Sequence, residues 1–133
     1  MTPRYVTLGA GTSIGGSEPV ISDAVVFGDL VYLSGRAPVD PTTLAVLEGG
    51  FDVHARSVLA DIDAVLAASG SARSLVLRVE CFLDDAADFP AWNRIWSEHF
   101  AAPRPARTTV VADFAVPGIL IELQVTAGLE GTG

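Results

Sequence analysis

The sequence predicts one α+β domain in which two helices cover a single face of a sheet. Three observations lead there. Two segments carry apolar residues at three- and four-residue spacing. Several others are short β-rich or alternating runs. The chain has 133 residues, half of them apolar, which suits one hydrophobic core and a single domain over residues 1–133.

Taken in order, Leu8 to Pro19 is rich in Gly and Ser and reads as a loop beside a site. Its run Gly9 to Gly16 lacks the Lys-Ser/Thr and the following helical pattern of a phosphate-binding loop. Ala24-Val25-Val26-Phe27 and Leu30 to Ser34 are β-rich and flank Gly28-Asp29, a hairpin signal. Gly35 to Gly50 reads as a long connection. From Asp52 the period changes, and Ala55, Val58, Leu59, Ile62, Val65 and Leu66 mark an amphipathic helix that Gly70 stops. Leu75 to Leu83 alternates as a strand, with Arg78 and Glu80 on the face opposite Cys81.

Asp88 is the expected N-cap of a second helix, Phe89 to Phe100, with Pro90 in its first turn. Phe89, Trp92, Trp96 and Phe100 fall at helical spacing and read as packing residues. Pro103-Arg104-Pro105 ends that helix, Arg107 to Val111 is a strand, Pro117-Gly118 a turn, and Ile119 to Ala127 the last strand. That strand places Ile119, Ile121, Leu123 and Val125 on one face, and Leu120, Glu122, Gln124 and Thr126 on the other. Two helices cover only one side. The mixed second face predicts an oligomer with Arg107 and Glu122 near the interface.

Composition removes several classes. The net charge is −8 and every basic residue is an arginine, scattered along the chain, which argues against nucleic acid. One cysteine excludes an internal disulfide, and Cys81 sits in phase with core residues. No apolar stretch is long enough for a membrane span and no secretory leader is visible, so the expected compartment is the cytoplasm. His54 and His99 have no ligand cluster around them and read as surface histidines, and no metal is expected. Ser34 has no assignable base partner.

The chemistry concentrates in two runs. Pro105-Ala106-Arg107-Thr108-Thr109-Val110 puts an arginine at the start of an apolar strand. Glu122 stands inside Ile119-Leu120-Ile121-Glu122-Leu123-Gln124-Val125. Charges inside strands are costly unless paired or used. A guanidinium fits a carboxylate with two parallel hydrogen bonds, and a carboxylate can activate water. The pair reads as a hydrolytic site for a small carboxylic acid, or as a structural ion pair.

These residues carry a resemblance over about Pro19 to Ala127. Ser22-Asp23-Ala24-Val25, Val31-Tyr32-Leu33-Ser34-Gly35, Asp88-Phe89 with Asn93, Pro105 to Val110 and Ile121-Glu122-Leu123 resemble the Rid/YjgF family of reactive-intermediate deaminases, once called L-PSP endoribonucleases. The resemblance implies a chorismate-mutase-like fold with a six-stranded mixed sheet, and a homotrimer with sites in clefts between subunits. It implies hydrolysis of 2-imino or enamine acids to 2-keto acids and ammonia without metal or organic cofactor. Arg107 would clamp the substrate carboxylate and Glu122 would orient or activate water. The backbone at Gly35 and Thr109 would bind the carboxylate or imine, and Asn93 would support them.

The chain also departs from the family pattern. Ile21 stands where a tyrosine is frequent, Thr109 where a cysteine is common, and Arg36 where glutamine is common. Arg36 either adds a second positive charge to the pocket, favouring a dicarboxylate or bulkier acidic substrate, or makes a surface or intersubunit salt bridge. Two other classes stay open: a dedicated pathway enzyme such as an aminomuconate-type deaminase, and a ligand-sensing oligomer without turnover. Ribonuclease activity is disfavoured by the acidic charge and the absence of a basic stripe.

Overall fold

A computed structural model describes residues 1–9, 11 and 19–131. The strands are β1 (Arg4–Val6), β2 (Ala24–Phe27), β3 (Leu30–Leu33), β4 (Val76–Leu83), β5 (Ala106–Val111) and β6 (Ile121–Gly128). The helices are α1 (Phe51–Ser69) and α2 (Phe89–His99). One six-stranded sheet runs in the order β1-β2-β3-β6-β4-β5. It is antiparallel except for β4 and β5, which the α2 crossover makes parallel. The first crossover, through α1, carries the chain from β3 to β4 on the far side of β6. This is the two-helix, six-stranded architecture expected.

The apolar stripe of α1 is buried at Ala55, Val58, Leu59, Ile62, Val65 and Leu66. It joins Val31, Leu33, Val79, Cys81, Ile121, Leu123 and Val125 of the sheet in one core. Gly70 ends the helix in the left-handed region at φ 83°. There its N–H meets the Ala67 carbonyl, a position that suits glycine because it lacks Cβ. The hairpin turns at Gly28-Asp29 as expected, with Phe27 opposite Leu30.

Five details differ from the sequence reading. The residue pattern marks five strands; the sixth is Arg4–Val6, paired with β2. In β4 a register shift lies between Val76 and Arg78, so Val76 is buried and Leu77 is 52% exposed, reversing the simple alternation there. Asp88 does not cap α2 with its side chain. A 3-10 turn, Ala86–Asp88, precedes the helix, and Asp85 accepts the Ala87 N–H at 2.8 Å. Phe89 is 41% exposed instead of packed inside. His54 is 1% exposed, not a surface residue. Its Nε2 lies 2.7 Å from the Leu47 carbonyl, and its Nδ1 accepts from the Leu120 N–H at 3.3 Å. One histidine thus ties the 36–50 connection to the segment entering β6. The glycine-rich run from Gly9 to Gly16 falls almost wholly outside the described residues.

Candidate active site

Strand register decides which charged side chains meet. In the parallel β4–β5 pair, Val79 lies opposite Arg107 and Cys81 opposite Thr109. Val79 and Cys81 point into the helix-side core, so Arg107 and Thr109 face that side too. In the antiparallel β4–β6 pair, Phe82 lies opposite Glu122, on the open face of the sheet. Arg107 and Glu122 therefore occupy opposite faces of one chain, which excludes an ion pair between them within it.

Helix α2 completes the Arg107 side. Asn93 Oδ1 accepts from Arg107 Nη2 at 2.7 Å. The guanidinium carbon lies 5.1 Å from the Trp96 ring centre and 5.5 Å from that of Phe89. Phe89, Asn93 and Trp96 recur at helical spacing, so one helical face clamps the arginine from three sides. Such cation–π contacts contribute roughly 0.5–2 kcal/mol each. Asn93 engages one of five guanidinium N–H groups, and among the described residues no carboxylate pairs with Arg107. A fork held this way is ready for a planar anion. Behind it, burial pushes the Cys81 thiol up to about 11, so it is an inert core group at neutral pH. The buried Thr109 hydroxyl and Trp92 indole N–H have no oxygen or nitrogen partner among the described residues.

The open face carries the second half. Glu122 is half-buried, and burial raises its pKa above the ordinary glutamate range. A Cβ placed on Gly35 would stand 3.0 Å from Glu122 Oε2 and 3.2 Å from Cδ, close enough to push the carboxylate from this position. The next residue is clipped to β6 by two backbone bonds, Arg36 N–H to Leu123 carbonyl at 2.8 Å and Leu123 N–H to Arg36 carbonyl at 3.0 Å. Ser34 Oγ donates to the Ser22 carbonyl at 2.6 Å, and Ile21, the residue before Ser22, is exposed.

Arg36 points the other way. Its Nη1 meets Asp23 Oδ1 at 2.7 Å, and its Nε and Nη2 hold the Asp61 carboxylate at 2.6 and 3.1 Å. The bridge is intramolecular: Arg36 and Asp23 are largely buried, Asp61 is partly exposed, and the guanidinium is held away from the open face. Burial works against the charged guanidinium, but the two carboxylates more than offset it, so Arg36 holds its proton more firmly than a free arginine.

The structure thus gathers Arg107 and Asn93, with Thr109 two residues along the same strand face, on one side, and Glu122 with Gly35 on the other; Ile21 is exposed and is not brought to either set by any contact among the described residues. It does not bring the two sets together within one chain. Residue reasoning alone missed Phe89 and Trp96 as walls of the arginine site; only their spacing relative to Asn93 hinted at it. No group of three His, Cys, Asp or Glu among the described residues could hold a metal ion. Among them, too, no helix is long and apolar enough to cross a membrane.

A six-stranded mixed sheet with two helices on one face is the architecture of Rid/YjgF structures. The Endoribonuclease L-PSP family model matches residues 17–129, and the chain belongs to that family. It is 32% identical over 109 residues to a RutC family protein of Pyrococcus horikoshii, covering 82% of this chain and 86% of the relative. It is 38% identical over 89 residues to a 2-iminobutanoate/2-iminopropanoate deaminase of Dermatophagoides farinae, covering 67% and 70% of the two chains. A Rid family protein of Yersinia pestis superposes with a TM-score of 0.84 at 27% identity, over 96% of this chain and all of the other.

Proposed function

We propose that this protein hydrolyses small 2-imino and enamine carboxylic acids to 2-keto acids and ammonia, at sites formed between neighbouring copies of a homotrimer. One observation carries the reading. Arg107 and Glu122 lie on opposite faces of the chain, and among the described residues neither has a partner of opposite charge. Each is half of a site that a second copy completes: the clamped Arg107 of one protomer faces the Glu122–Gly35 wall of the next.

In this reading Arg107 takes the substrate carboxylate with two N–H donors, and Asn93 with the aromatic pair fixes its plane. Orientation of this kind contributes up to ~7–11 kcal/mol in ideal cases. The imine carbon is already electrophilic. Water attacks it, a C–O bond forms, and the C=N π pair moves to nitrogen. Glu122 accepts the proton from water and returns it to the amine. Glu122 then takes the hydroxyl proton of this carbinolamine and passes it to the amine, so that the C–N bond breaks, ammonia leaves and the C=O bond forms. No metal or organic cofactor takes part. A carboxylate whose pKa is raised by burial is a better proton carrier near neutrality than an ordinary one.

The test couples an amino-acid oxidase, which generates 2-imino acids, to semicarbazide, which traps what is not hydrolysed. Wild type is expected to suppress trapping. Arg107→Ala is expected to lose about 10²-fold or more in kcat/KM, since the anchor that aligns the carbon is gone. Absence of hydrolysis with every imine, together with thermal stabilisation by 2-ketobutyrate, would replace the enzyme by a ligand-binding trimer.

A further inference from the structure

The Arg36 cluster joins more of the site than any other polar group. Arg36 lies one residue beyond Gly35 and is bonded through its backbone to Leu123, one residue beyond Glu122. Its guanidinium grips Asp61 on α1 with two N–H groups and Asp23 with a third. Asp23 is 3% exposed and immediately precedes β2. Its second oxygen, Oδ2, accepts from the Leu8 N–H at 2.7 Å, at the stem of the glycine-rich loop. The Asp23 backbone also binds both neighbours, its N–H to the Val6 carbonyl at 2.9 Å and its carbonyl to the Ser34 N–H at 3.0 Å. Three charges therefore set the relative positions of the loop stem, Ile21, Gly35 and β6.

We infer that Arg36 is a positioning residue for the Glu122–Gly35 wall, acting through Asp23 and Asp61, and is not a ligand for a second substrate carboxylate. The inference rests on the hydrolytic reading and deepens it. With three of the five Arg36 N–H groups committed to two carboxylates on the helix side of the sheet, the site offers one clamped guanidinium, that of Arg107. It therefore takes a monocarboxylic imine and disfavours one with a second carboxylate. An ion triad with two of its three members largely buried is also a sensitive positioning device. Removing the arginine leaves two carboxylates facing each other without a counter-charge, and the segments they hold must shift. A displacement of a catalytic group by about 1 Å can cost 10²-fold in rate.

The experiment compares wild type, Arg36→Met, Arg36→Lys and Asp61→Asn. Imines derived from alanine and 2-aminobutyrate are set against those from aspartate and glutamate, and hydrogen exchange is followed at the Leu8, Ser34 and Leu123 amides. Wild type is expected to prefer the monocarboxylic imines by about tenfold or more. Arg36→Met is expected to lower kcat about tenfold on them with little change in KM, and to speed exchange at all three amides. Arg36→Lys restores a charge without the fork and is expected to fall between. Asp61→Asn keeps the shape and gives a milder form of the same pattern if Arg36→Met does not fold. A rise in KM confined to the dicarboxylic imines would make Arg36 a substrate ligand and overturn the inference. So would a loss of thermal stability with kcat, KM and exchange unchanged. If wild type hydrolyses no imine, the hydrolytic reading fails alone. The exchange measurement then still decides whether Arg36 holds the three segments.

Discussion

Glu122 is the residue whose behaviour separates a working carboxylate from a structural one. Its pKa is raised by burial, so the protonated form is favoured in the folded chain. The sign follows for both activity and stability. As a base it must be ionised, so the acid limb of the kcat profile is expected above the ordinary glutamate range, with activity lost as pH falls through it. Its contribution to stability is present below the unfolded pKa and is lost as pH rises through the folded one. Glu122→Gln is therefore expected to abolish turnover yet raise the melting temperature at pH 7, with the gain vanishing at acid pH. Melting curves at both pH values check this. Gly35→Ala places a methyl 3.0 Å from Glu122 Oε2. It is expected to lower kcat by about 10²-fold while the fold persists, a split that kinetics and circular dichroism read together. Arg107 and Glu122 were legible as single residues because each is a charge inside an apolar strand. Arg36 was legible only as two alternatives, because Asp23 and Asp61 are 13 and 25 residues away from it in sequence.

At the scale of elements, α2 acts as the clamp and β5 as the jaw. Trp96 and Phe89 flank a guanidinium that Asn93 anchors. Trp96→Leu is expected to loosen Arg107 and raise KM several-fold more than it lowers kcat, while Trp96→Phe keeps most of the stacking and most of the affinity. The start of α2 gives a second prediction. Asp85 makes the capping bond and Asp88 does not. Burial, then the charges of Asp85, Asp84 and Asp52, raise the Asp88 pKa. Asp85→Ala is thus expected to cost about 1 kcal/mol in denaturant unfolding, and Asp88→Ala nothing.

The two helices were legible because their apolar periods are strong and Gly70 and Pro103 stop them. Strand β1 was not, since two of its three residues are exposed and only Val6 enters the core. The irregularity at Leu77 was hidden because Val76 and Leu77 are both apolar, so the phase can shift by one without changing the pattern. His54 could have been found: it lies four residues before Val58 on the apolar stripe of α1, where a polar ring must have partners.

For the whole molecule, the open face is the outstanding fact. Tyr32 pairs with Thr126, Val110 with Phe82 and Phe82 with Glu122, so aromatic and apolar side chains share that face with the glutamate. Tyr32 and Val110 remain 46% and 45% exposed in the single chain. A face of this kind is expected to be covered by further copies, and sedimentation equilibrium at micromolar concentration is expected to give three times the chain mass. That Arg107 and Glu122 point to opposite faces was not legible from the chain. It follows from the β4–β5 and β4–β6 registers, which no local pattern encodes.

The most direct measurement is complementation between two inactive variants. Arg107→Ala and Glu122→Gln are co-expressed or refolded together in equal amounts and assayed for imine hydrolysis. If each site takes Arg107 from one subunit and Glu122 from its neighbour, randomly mixed trimers regain about a quarter of the wild-type sites, although each variant alone is dead. If the mixture stays as inactive as its parts while still assembling, the two residues do not act in one composite site, and the proposed chemistry is wrong.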